Sequence, residues 1–112
     1  MQIDTLLPPG QAVFVTVFKI TPKSRARNAA SAATRLQYQI DGLGHQHPRP
    51  YRKPMLSSSR EILLAIENVH FTQVDTDANS LSWAWQIAHQ ARLSELEWDA
   101  QVVASHQLTP HR

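Results

Sequence analysis

Few residues in this chain have the types and spacing that chemistry requires. His45 and His47 stand near Asp41, a grouping that binds a transition metal only when three or four ligands converge. The chain has no cysteine, so scattered His and carboxylates are the only donors, and a pair of solvated loop histidines is the plainer reading. His70 and His89 read as surface or half-buried polar residues. Glu95, Glu97 and Asp99 alternate as along one strand face, which suits either a divalent cation or the wet side of an edge strand. The sequence holds no G-x-S-x-G, phosphate loop, dinucleotide fingerprint or H-E-x-x-H, and three glycines leave little scope for a phosphate cradle. The expectation is a protein that is not an enzyme and carries no metal or cofactor.

Charge is more informative. Nine of the eleven Lys and Arg residues lie between Lys19 and Arg60. Set against Asp4 and Asp41, they give residues 1–60 a net charge of +7. Residues 61–112 hold Arg92 and Arg112 against seven acids, a net charge of −5. A concentrated basic segment attracts polyanions or acidic proteins. With Tyr38 and Tyr51 inside it, the cluster admits three readings. It could stack and neutralise RNA or single-stranded DNA, steer an acidic protein surface, or simply be a solvated loop. The acidic second half and the absence of an RNP-like aromatic signature disfavour nucleic acid. Trp83 and Trp85 flank a narrow stripe of small residues. They anchor either one core or a core and a partner.

The elements that must position these residues follow from periodicity. Ala12–Ile20 reads as a central strand covered on both sides, with Val13, Val15 and Val17 on one face and Phe14, Phe18 and Ile20 on the other. Residues 21–34 fit either an alanine-striped helix opening at Thr21-Pro22 or a mobile basic loop. Leu36, Tyr38 and Ile40 alternate as a half-buried strand over 35–41, ended by Gly42 and Gly44. Residues 45–57, rich in Pro and basic residues, form an exposed loop or irregular edge strand. The capping box Ser58-x-x-Glu61 predicts a short helix to about Glu67, with a strand at Ile62–Ile66 as its rival. Val69–Asp75 then reads as a strand. Asn79 or Ser80 caps a tail helix to about Leu93, residues 94–105 fit strand or helix, and the last seven residues fray. Pro8-Pro9-Gly10 breaks the N-terminal apolar stretch, so no signal peptide or membrane span is expected.

The run Phe18-Lys19-Ile20-Thr21, the segment Arg35–Gly44 with Tyr38 and Gly42-Leu43, and Pro54-Met55 followed by 58–67 and 70–74 resemble the CpcD-like domain of phycobilisome linker polypeptides. Met55 replaces the usual aromatic after the proline, and Asn68-Val69 replaces a Gly-Gly pair. The resemblance covers about residues 17–75. It implies a cytoplasmic linker or cap at the thylakoid surface that inserts into a ring of acidic phycobiliproteins within a hetero-oligomeric assembly. The charges it would use are Lys23, Arg25, Arg27, Arg35, Arg49, Arg52 and Lys53, with Tyr51 for packing and Trp83 and Trp85 for a further contact.

The expected fold is α+β: a small three- to four-stranded sheet with one packed short helix, plus a C-terminal helical or helix–strand extension. Residues 1–75 would form the basic unit, and the acidic 76–112 would pack on it or on a partner. The alternative architecture is a ferredoxin-like βαββαβ sandwich with strands 12–20, 35–41, 62–74 and 95–103 and helices 22–34 and 80–93. Under that reading the next function in line is nucleic-acid binding.

Overall fold

Seven elements alternate along the chain: β1 (Ala12–Pro22), α1 (Ala30–Asp41), β2 (Arg49–Pro50), β3 (Met55–Ser58), β4 (Glu61–His70), α2 (Gln73–Gln90) and β5 (Trp98–Gln107). The computed structural model describes residues 9–25 and 27–108. The N-terminal lead-in before Pro9, the stripe position Ala26 and the tail beyond Leu108 lie outside the described residues.

The strands form one antiparallel sheet in the order β2–β4–β1–β5, with β3 also on β4. Counting β2 and β3 as two pieces of one edge strand, this is the βαββαβ order of ferredoxin-like folds. The α+β class holds, and the alternative architecture describes the connectivity. Residues 76–108 belong to the same single core: β5 pairs with β1 along its length, and Trp98, Leu93 and Ala88 join the cluster that contains Phe18 and Ile20.

Alternation in β1 and β4 assigns the faces. Thr16, Phe18 and Ile20 share one face with Ile62, Leu64 and Ile66, all buried beneath the helices. Val13, Val15, Val17 and Lys19 share the other with Val69, Glu67, Ala65 and Leu63. Coverage on both sides, expected of β1, holds at Val15, which is 1% exposed, while Val13 and Val17 beside it are half-buried. Both neighbouring strands are present, but the helices lie on the Phe18 face alone.

Three assignments change for a common reason. Residues 35–41 are helical: Ala32, Leu36 and Ile40 are buried at helical spacing, whereas Tyr38 is 77% exposed. A helix and a strand both place Leu36 and Ile40 on one side, and only Tyr38 separates them. Residues 58–67 are a turn followed by β4, not a capped helix. Ile62, Leu64 and Ile66 are fully buried at period two, while Ser57 spends its hydroxyl on Glu61 within a hairpin. The strand expected to reach Asp75 stops at His70. Thr72 then caps α2 by accepting from Asp75 N–H at 3.1 Å. Ser80, expected as a cap, lies inside the buried stripe Thr76, Ser80, Ala84, Ile87 and Ala88.

The tail also differs. Ser94 closes a turn, accepting from Leu96 N–H on its hydroxyl and from Trp98 N–H on its carbonyl. His106 and Gln107, expected to fray, pair with Val15 and Phe14. Residues 21–34 resolve into the end of β1, a basic loop and the start of α1.

The helical assignment of 35–41 has a direct consequence in chemical denaturation. Leu36→Ala is expected to cost about 2–5 kcal/mol, and Tyr38→Ala to stay within about 0.5 kcal/mol. Comparable losses at the two positions would instead place both side chains on one buried strand face.

Candidate docking surface

Part of the sequence's charge split folds back on itself, through four of the nine front-half Lys and Arg residues. Lys19 lies 3.9 Å from Glu61, Lys23 3.9 Å from Asp99, and Arg27 2.8 Å from Glu97. Arg49 donates from Nε and Nη2 to Glu67 Oε2 at 3.1 and 2.7 Å, and His47 Nε2 sits 2.6 Å from the same oxygen. In each pair a front-half cation meets a rear-half carboxylate. The registers explain why, since β1 runs between β4 and β5, which carry most of those acids. Glu67 is the best shielded, its side chain only 13% exposed, and the Arg49 fork meets its charge in a charge-assisted pair.

Arg35 and Arg60 are held without carboxylates. Arg35 donates to Ala91 O and Ser31 Oγ, both at 2.7 Å, joining α1 to the end of α2. Arg60 donates to the carbonyls of Ser24, Arg25, Arg27 and Pro22, so one guanidinium gathers the whole basic loop after β1. Composition did not single out Arg60. Its position in the tight Ser58–Glu61 hairpin, beside the start of α1, is set by the fold.

Arg25, Arg52 and Lys53 therefore remain: all three are exposed and have no acidic partner among the described residues. They do not form one patch by sequence order, because the loop carrying Arg25 follows β1 while Arg52 and Lys53 join the two edge pieces β2 and β3. Arg52 and Lys53 line a shallow cleft with Val17, Met55, Leu63 and Ala65. That cleft opens on the sheet face that carries no helix. Tyr51 lies beside it, half-exposed and anchored through its own N–H to Ala65 O at 2.9 Å. The helix-free face thus carries half-buried Val13, Val17 and Leu63 around Val15 and Ala65, which are themselves buried at 1% and 4% exposure, with Arg52 and Lys53 at its rim.

Trp83 and Trp85 lie elsewhere. Both are partly buried against the same core as the α2 stripe, and the Trp85 ring also meets His89 at 5.8 Å. The histidine and carboxylate groupings read from sequence are likewise taken up by other contacts. His47 and Glu67 pair, His89 and Glu95 lie 3.8 Å apart, and Glu97 and Asp99 meet cations. Among the described residues no group of three His or carboxylates is placed to hold a metal ion. No helix among them is long and apolar enough to cross a membrane. Comparison with known proteins found no matching family model, curated protein or solved structure.

Arg60 should report the integrity of the basic loop. Arg60→Ala is expected to accelerate tryptic cleavage after Lys23, Arg25 or Arg27 by about tenfold, through local opening of the segment. An unchanged cleavage rate would mean the loop is held by something other than these carbonyl contacts.

Proposed function

We propose that the protein is a non-catalytic docking subunit that receives an acidic partner protein on its helix-free sheet face, at the cleft beside Arg52 and Lys53. The observation that supports this most is the cleft in which half-buried Val17 and Leu63 and exposed Met55 lie beside two unneutralised cations, Arg52 and Lys53. Apolar area supplies the association energy, and the charges at the rim select the partner and speed its approach. Tyr51 and Met55, both partly exposed on the same side, extend the contact.

This narrows the reading from composition. Lys23, Arg27 and Arg49 are already paired, so a partner would have to displace Asp99, Glu97 or Glu67 to use them. Arg25 is the one cation of the loop after β1 still available. The resemblance to phycobilisome linkers names one acidic partner, a phycobiliprotein ring. However, the strand–helix–strand order it implies over 35–41, 58–67 and 70–74 is helix, strand and the junction into α2 in this fold. The proposal therefore rests on the acidic protein class, with phycobiliproteins as a suitable coloured probe.

Binding of purified phycobiliprotein hexamers, followed by their own fluorescence, tests the reading against a labelled single-stranded oligonucleotide. The expected result is saturable hexamer binding that weakens by about tenfold or more in Arg52→Glu/Lys53→Glu and little in Lys23→Glu. Oligonucleotide binding without hexamer binding would move the function to nucleic acid. Hexamer binding indifferent to the double substitution would contradict this surface.

A further inference from the structure

The two edges of the sheet are treated differently. The β2/β3 edge is interrupted by Pro48, Pro50 and Pro54 and carries Arg49, Arg52 and Lys53, all devices that stop strands from adding. The β5 edge is a ten-residue strand with no proline and Asp99 as its sole Asp, Glu, Lys or Arg. Val102 and Val103 are exposed on it, at 37% and 49%. Among the described residues no strand pairs with its outer side, and an open edge of this length is a template for another strand.

We propose that β5 pairs antiparallel with β5 of a second copy of this chain, joining the two sheets across a two-fold axis between Val102 and Val103. The inference is independent of the acidic-partner reading, which centres on the cleft beside the opposite edge of the sheet.

The hydrogen-bond ladder defines the register. Lys23 N–H donates to Glu97 O, and Leu108 N–H donates to Val13 O. In an antiparallel ladder the backbone groups of alternate residues face the neighbour. The first bond makes 97, 99 and 101 the residues whose backbone faces β1, and the second does the same for 104, 106 and 108. The register shift between Val17 and Phe18 separates the two sets. The backbone groups of Ala100, Val102, Ser105 and Gln107 therefore point away from β1.

Self-pairing of the whole strand sets Trp98 against Gln107, Asp99 against His106, Ala100 against Ser105 and Gln101 against Ala104. Outward-facing Ala100 and Ser105 then meet each other and can exchange backbone bonds. Their side chains also lie on the same sheet face, as do those of Asp99 and His106. A strand without the irregularity would not satisfy this, because its outward residues would all share one parity and the end-to-end register would pair outward with inward. The irregular residue, which elsewhere serves to spoil an edge, here brings the edge into phase with its own copy.

The charges agree with this register. Asp99 is the only acid in β5 and would face the imidazole of His106 twice per dimer, and no like charges oppose each other. Gln73 donates to Ser105 O at 3.1 Å from the helix side, leaving that carbonyl a second lone pair for the partner strand. A pair of edge strands is a small interface, so the association should be weak and concentration-dependent.

Sedimentation of the full chain between about 5 and about 500 µM, a range that brackets weak association, provides the test. The expected result is a shift toward twice the monomer mass, with slowed amide exchange at Ala100 and Val102 at the high concentration. Val102→Lys and, separately, Val103→Glu change exposed side chains and should keep the thermal midpoint while holding the chain monomeric. A wild-type chain that stays monomeric with freely exchanging Ala100 and Val102 amides overturns the proposal, leaving the edge to an extended segment of some other protein. A dimer that survives both substitutions overturns it equally, since the contact would then lie elsewhere.

Discussion

The fold depends on β1 being paired along both edges. Its partners come from the middle of the chain and from its far end: Val17 faces Ala65 on one side and Ala104 on the other. The ladder to β4 closes within residues 12–70, whereas the ladder to β5 spans almost the whole described chain, so its larger loop-closure cost is recovered only by burial that both halves share. Phe18 and Ile20 supply the front half of that burial, and Ile62, Leu64, Ile87, Leu93 and Trp98 the rear. The last third of the chain is therefore a structural necessity, because without β5 the central strand becomes an edge and Trp98 leaves the core.

The same topology determines what the charges can do. A chain that is basic first and acidic later looks, in composition, like a molecule with two sticky ends. Once β1 lies between β4 and β5, part of that separation becomes contact. Exposed pairs such as Arg27–Glu97 contribute about 0–1 kcal/mol each, so they do not hold the fold together. Their effect is subtractive, removing Lys19, Lys23, Arg27 and Arg49 from the set available to a partner. What survives is Arg25 on the loop after β1 and, together at one cleft with Val17, Met55 and Leu63, Arg52 and Lys53, a set smaller than the sequence suggests and better defined.

Some of this was legible from residues alone. The β-branched and aromatic run at 12–20 reads as a central strand, and the proline-rich basic stretch, which fits an exposed loop or an irregular edge strand, holds the short edge pieces β2 and β3 joined by a loop. Where the sequence misled, two periodicities shared the same evidence. Leu36 and Ile40 are four apart, which satisfies both a helical stripe and one strand face, and the exposure of Tyr38 is not a sequence property. At Ser58–Glu61 the capping-box pattern was present, but its hydroxyl and carboxylate serve a hairpin because Ile62, Leu64 and Ile66 bury completely only at period two. The candidate site was harder still. Arg49 and Arg52 are indistinguishable by composition, and only the register that sets Arg49 opposite Glu67 makes one a structural ion pair and leaves the other free.

The proposed function centres on the cleft where Arg52 and Lys53 flank Val17, Met55 and Leu63 on the helix-free face. Hydrogen exchange across the whole protein, with and without saturating phycobiliprotein hexamer, addresses it most directly. Protection concentrated in residues 51–55, around Val17 and over Leu63–Ala65 is the expected outcome. Protection confined to the outer faces of α1 and α2, with the 51–55 loop and the open strands unchanged, would contradict it.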